Sequence, residues 1–106
     1  MFWANLGPVR GAEQAGNRPV VLFQNDDVRL ATVVVVPLTT NLKRARFPTC
    51  LPIKKSESGL PHDSVALCHQ IRVLDKERLS GRAGTLSPEV LKRLEEILNF
   101  TLGTSD

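Results

Sequence analysis

At 106 residues and 11.7 kDa the chain has the length of one domain, residues 1–106, with no room for a second. Its 42% hydrophobic and 24% charged residues exclude wholesale disorder, and 14 Lys and Arg against 11 Asp and Glu give a net charge of +3 that suits a polyanionic partner without requiring one. Cys50 and Cys68 lack ligand spacing, which argues against a zinc site and for two buried free thiols. The apolar run Val33 to Leu38 is far shorter than the roughly 20 residues of a membrane helix, and no basic-then-apolar leader opens the chain, so a cytoplasmic, non-membrane protein is expected.

In chain order, Phe2 to Leu6 reads as a short strand closed by the turn Gly7-Pro8. Pro19 to Phe23 and Thr32 to Leu38 are Val-rich, nearly continuous apolar runs, the pattern of strands covered on both faces. The polar segment Gln24 to Ala31 connects them. Phe47 to Ile53 is a further strand, which Pro48 and Pro52 confine to an edge or a bulge. Lys54 to Gly59 reads as a solvated loop. From Ser64 to Val73 the pattern predicts one strand, with Val65, Leu67, His69, Ile71 and Val73 sharing a side. Asp75 to Leu79 reads as a capped helical turn, and Arg82 to Leu86 as a last short strand.

Ser87 is a good N-cap, Pro88 fits the first helical position and Glu89 suits the positive end of the helix dipole. Val90, Leu91, Leu94, Ile97, Leu98 and Thr101 then recur at helical spacing until Gly103. Several strands with one amphipathic helix and no β-α alternation predict a mainly β, α+β fold: an antiparallel barrel-like sheet with a docked C-terminal helix.

The loop Gly11-Ala12-Glu13-Gln14-Ala15-Gly16-Asn17-Arg18-Pro19 carries a carboxylate, an amide and a guanidinium into the strand that follows. Such a loop can handle an anion. RNA is cut without a metal when its own 2′-hydroxyl attacks phosphorus; that needs a base, a charge to stabilise the phosphoryl oxygens and a proton for the leaving oxygen. Glu13 could take the proton, and Arg18, fork-shaped and always charged, could hold the phosphate. Because a guanidinium does not give up its proton readily, stabilisation is the natural role of Arg18. Solvated loop salt bridges provide the plain alternative for such residues.

This loop, the segment Thr32-Val33-Val34-Val35-Val36-Pro37-Leu38-Thr39-Thr40 and the later Gly59-Leu60-Pro61-His62-Asp63-Ser64-Val65-Ala66-Leu67 together resemble the MazF/PemK family of toxin endoribonucleases, over nearly the whole chain. The resemblance implies an SH3-like antiparallel β-barrel of the MazF/CcdB type with a C-terminal amphipathic helix. It implies cleavage of single-stranded RNA, mRNA especially, leaving 2′,3′-cyclic phosphate and 5′-hydroxyl ends, with no cofactor. A homodimer inhibited by a cognate MazE-like antitoxin is implied as well. Arg18 and Thr39 match the positions taken as catalytic in the family, and Glu13 matches its loop glutamate. Gln14, Asn17 and Thr40 join the RNA-contacting set, and Lys43, Arg44 and Arg46 form a basic cluster suited to phosphates.

Relatives usually carry an acidic residue where His69 precedes Gln70-Ile71-Arg72, so His69 and Gln70 are candidates for altered base preference; a histidine bonded within the sheet is the alternative. His62 reads as an exposed loop histidine. Relatives also carry a few more residues before the first strand, so either a truncated or mis-assigned start or a shortened first strand is expected. Two rival functions stay open: a gyrase-binding toxin of the CcdB kind, which would need neither Arg18 nor Thr39, and a degenerate toxin that binds its antitoxin without cleaving.

Overall fold

The structure, a computed structural model, describes residues 1–8 and 16–104. Seven strands run in the order β1 (Phe2–Asn5), β2 (Asn17–Leu22), β3 (Thr32–Thr39), β4 (Cys50–Ile53), β5 (Ser64–Leu67), β6 (Arg72–Asp75) and β7 (Leu79–Arg82). A one-turn helix α1 (Lys55–Ser58) follows β4, and α2 (Pro88–Leu102) ends the chain. The strands form one curled antiparallel sheet, β4-β5-β3-β2-β1-β7, with β6 also paired to β3. Among the described residues no pairing joins its two ends, so the sheet is barrel-like and open.

β3 is the hub because its residues are apolar on both faces. Val33 and Val35 point into a cluster with Ala4, Leu6, Val20 and Leu74, whereas Val36 and Leu38 join Val21, Leu51, Ile53 and the helix residues Val90, Leu94 and Leu98. Burial on both sides explains why the sequence runs Val-Val-Val-Val without alternation. β4 lies at the sheet's edge, and its Pro52 is exposed there, where no ladder bond is lost.

The expected single strand from Ser64 to Val73 is instead two strands, divided by a 3-10 turn at Cys68–Gln70. Leu38 lies opposite Ala66 and Val35 opposite Arg72, so pairing with β3 slips by three residues across the turn. An odd slip exchanges the faces. Val73, expected inside, is 61% exposed, and Leu74 is buried. The break sits beside Val36 and Pro37, which neither β5 nor β6 reaches. Pro37 has no N–H to offer a ladder, so the sheet is interrupted next to a residue that cannot extend it fully.

Two other expectations are corrected. The last strand is Leu79–Arg82, paired with β1, and not Arg82 to Leu86. Lys54 to Gly59 contains a helical turn with a buried member: Ser58 is 1% exposed, its hydroxyl accepts from Leu60 N at 3.1 Å and its carbonyl accepts from Thr85 N at 3.2 Å. Glu57 ties α1 down, accepting from Lys54 N at 3.1 Å and pairing with Arg93 of α2. The Lys54 N–H first, and then the Arg93 guanidinium, hold its carboxyl below the usual carboxylate range. Polar composition concealed this turn, because its stability comes from partners distant in sequence.

Gly84 is where these segments meet. A methyl group there would fall inside contact distance of the Ser58 carbonyl oxygen and 3.1 Å from Met1 Cε. Backbone cannot give way as a side chain can, so Gly84→Ala should destabilise the fold by about 1–3 kcal/mol. Urea melts of the two proteins would measure it, and an unchanged midpoint would show that the contact yields at no cost.

α2 follows its sequence signals closely. Ser87 Oγ accepts from Val90 N at 3.3 Å, Pro88 opens the helix and Gly103, with φ 73°, closes it. Leu91, expected on the apolar side, stays 37% exposed at the border of that face.

Candidate active site

Arg18 stands at the start of β2, opposite Ala4 of β1 and half-buried. Pro19 follows it, one residue beyond the β2 ladder with β3, which begins at Val20. At the far end of the neighbouring β3, Thr39 is buried and Thr40 is exposed. Antiparallel pairing thus brings the first residues of one strand beside the last residues of the next. A pocket of about 190 Å³ forms there, lined by Trp3, Asn17, Arg18, Pro19, Thr40, Leu60, Pro61, His62 and Ser64. It continues past Thr40, Pro61 and His62 into a wider pocket of about 430 Å³ that adds Leu42, Lys55 and Asp63.

Part of the wall is a turn held from both sides. Ser64, 2% exposed, donates its hydroxyl to the His62 carbonyl at 3.2 Å, and Asp63 Oδ1 accepts from Lys55 N at 2.8 Å. These bonds fix the backbone of His62 and leave its imidazole exposed. Among the described residues the groove therefore presents Arg18, His62 and Lys55 with one carboxylate, Asp63, whose oxygen is engaged by backbone. Its balance of charge favours an anionic chain.

Thr39 does not line the groove. Its Oγ1 accepts from Asn41 N at 3.2 Å, and among the described residues nothing accepts its hydroxyl proton, which stays available to donate. Asn41 in turn accepts from Lys43 N at 3.3 Å and caps the 3-10 turn Leu42–Arg46. That turn carries Lys43, Arg44 and Arg46 just beyond the threonines; Arg46 lies 5.0 Å from the centre of the Phe47 ring. Only Leu42 of the turn borders the groove.

His69 and Gln70 do not line the pocket that holds Arg18. They sit on the turn between β5 and β6, where His69 Nδ1 lies 3.2 Å from Thr49 Oγ1 and 3.8 Å from Cys50 Sγ, and Nε2 lies 3.5 Å from Gln70 Nε2. Burial pushes the Cys50 thiol up, and burial followed by Cys50 pushes Cys68 up to about 12, so both stay protonated. Among the described residues no three His, Cys, Asp or Glu side chains converge as a metal site would require, and no helix is long and apolar enough to cross a membrane. Glu13 and Gln14 lie outside the described residues. The groove residues that sequence reasoning missed are Trp3, Lys55 and Ser64, which no local pattern marks.

The open antiparallel, barrel-like sheet covered by one C-terminal helix is the fold of solved MazF toxins. The chain superposes on MazF (Form-I) from Deinococcus radiodurans with a TM-score of 0.78, covering 96% of this chain and 91% of that one at 24% identity. The MazE-MazF (Form-II) structure from the same organism matches at a TM-score of 0.72, with 26% identity over 98% and 92% of the two chains. Residues 1–102 match the family described as PemK-like, MazF-like toxin of type II toxin-antitoxin system. A protein of Staphylococcus saprophyticus named Endoribonuclease MazF is 41% identical over 105 residues, 97% of this chain and 88% of the relative. The chain belongs to the PemK-like, MazF-like toxin family.

Proposed function

We propose that the protein is the toxin of a type II toxin–antitoxin system, a metal-independent endoribonuclease that cuts single-stranded RNA at selected sequences. The observation that carries this reading is the groove, which gathers Asn17 and Arg18 of β2 and Thr40, just past the end of β3, beside an exposed histidine. A 41% identical relative named as an endoribonuclease supports the same activity.

In this reading the 2′-hydroxyl attacks the adjacent phosphorus and the product ends are a 2′,3′-cyclic phosphate and a 5′-hydroxyl. Arg18 binds the phosphate through its planar fork and stabilises charge that grows on the phosphoryl oxygens. Thr39 donates its hydroxyl to the reacting region and helps hold the in-line geometry. Glu13 takes the 2′-hydroxyl proton. Gln14, Asn17 and Thr40 contact splayed bases or sugars, and Lys43, Arg44 and Arg46 hold flanking phosphates. His69 and Gln70, outside the pocket that holds Arg18, contact a further base and tune which bases are preferred.

The whole chain, residues 1–106, acts as one such domain. It works as a cytoplasmic homodimer inhibited by a MazE-like antitoxin, whose acidic segment would compete with RNA for the basic groove. A solved mycobacterial endoribonuclease in complex with its cognate antitoxin supports this pairing, at a TM-score of 0.79 over 99% of this chain.

The deciding experiment incubates purified protein with a long single-stranded RNA in excess EDTA and maps the ends produced. Discrete cuts bearing cyclic phosphate are expected. Intact RNA after exposure to folded, antitoxin-free protein would overturn the reading and favour a toxin that acts by binding alone.

A further inference from the structure

The groove does not end at Lys55 and Asp63. Leu42 and Asp63 also line a third compartment of about 310 Å³, so one path leads from Arg18 past Thr40 and His62 into it. Its apolar lining comes from Leu42 and Ala45 of the 3-10 turn and from Pro52 and Ile53 of β4. Residues three apart in such a turn share a side, which lets a segment as basic as Leu42-Lys43-Arg44-Ala45-Arg46 turn an apolar edge to the pocket. Leu42 stays 52% exposed there.

The polar side chains of this compartment are mostly turned to the protein's own bonds. Glu57 pairs with Arg93 and accepts from Lys54 N, Asp63 accepts from Lys55 N, and the Ser64 hydroxyl donates to the His62 carbonyl. What is left for an occupant is the aliphatic lining. Among the described residues no aromatic ring lines the pocket, so a nucleobase would find nothing to stack on, whereas an aliphatic side chain packs against such a lining directly. Along the whole path the lining carries four cations, Arg18, Lys54, Lys55 and Arg93, against the two carboxylates Glu57 and Asp63. A segment that brings an apolar side chain here is therefore best matched when it is acidic.

We propose that this compartment is the anchor pocket for an apolar side chain of the acidic antitoxin segment, an inference that rests on the toxin reading above. The segment lies extended along the cationic path, and its anchor reaches beyond the stretch that RNA occupies. RNA and antitoxin then compete for Arg18, but only the antitoxin uses the pocket. Inhibition and cleavage can thus be separated by mutation.

The test measures binding of the full chain to labelled synthetic peptides of Asp, Glu and Ser, each with one Leu placed at a different position, beside a Leu-free peptide of equal charge. Inhibition of RNA cleavage by the same peptides is followed in parallel. For at least one position of Leu the parent protein should bind about tenfold more tightly than it binds the Leu-free peptide, the worth of one well-seated anchor. Ala45→Leu fills the pocket from its wall, and Pro52→Glu sets a carboxylate on its exposed edge. Each should erase the advantage of Leu, and each should still cut a mapped RNA within about threefold of the parent. Thermal melts would show both variants folded, and Pro52, at the sheet's edge, decides the matter should Ala45→Leu fail to fold. No gain from Leu at any position, or a gain that survives in Pro52→Glu, would overturn the assignment. Cleavage slowed more than about tenfold in folded Pro52→Glu would overturn it in favour of a nucleotide in the pocket. A parent protein that cuts no RNA would remove the ribonuclease reading, while the binding measurement would still decide the pocket.

Discussion

Arg18→Ala should reduce RNA cleavage by at least ~10²–10³-fold while leaving the protein folded. That range is the usual cost of removing one preorganised donor from a developing oxyanion, and a guanidinium supplies two donors and a full charge. The side chain is half-buried at the start of β2, and the pairing of Arg18 with Ala4 of β1 is made by backbone, which the substitution keeps. Arg18→Lys should recover only part of the activity, since it restores the charge without the planar fork. Single-turnover cleavage of a mapped site, measured beside a thermal melt, separates the two effects. Cleavage by Arg18→Ala within threefold of the parent would remove Arg18 from the reaction.

The largest effect on stability is expected from Leu94→Ala, which should cost ~2–5 kcal/mol. Leu94 is fully buried on α2, in one cluster with Val36 and Leu38 of β3, Ile53 of β4 and Leu98 of the same helix. Its truncation would leave a void at the seam between helix and sheet, where rigid strands limit collapse. A domain of ordinary stability has only about 5–15 kcal/mol in hand, so the variant should melt well below the parent. Urea denaturation would measure it, and a loss under about 1 kcal/mol would mean that α2 is only loosely docked.

Much of this fold was legible because its signals are local. The strand starts at Phe2 and Thr32, the edge position of Pro52 and both caps of α2 follow from residues within a few positions of one another. What escaped depends on partners distant in sequence. The turn at Cys68–Gln70 splits a well-patterned strand because β3 is paired in two registers, and no residue between Ser64 and Val73 announces it. α1 looks like a solvated loop until the Thr85 and Arg93 contacts are seen.

The site divides similarly. Arg18 and the threonines were marked by their place in a strand-flanking motif, and they do meet at one end of the sheet through Thr40. His62, exposed as its sequence context predicted, shares a pocket with Arg18 through a turn held by Ser64 and Asp63. The basic cluster after the threonines lay beside them in sequence, yet only Leu42 of its turn borders the groove.

The groove draws on Trp3, Asn17 and Arg18, Thr40, and the segment from Leu60 to Ser64. No contiguous stretch of the chain contains it, and its far wall is held in place by a residue more than halfway along the polypeptide. A nascent chain leaving the ribosome therefore carries the arginine long before it has anything to place opposite it. For a protein that would cut messenger RNA, this order of synthesis acts as a built-in delay: the message that encodes it is read past its midpoint before the product can harm it.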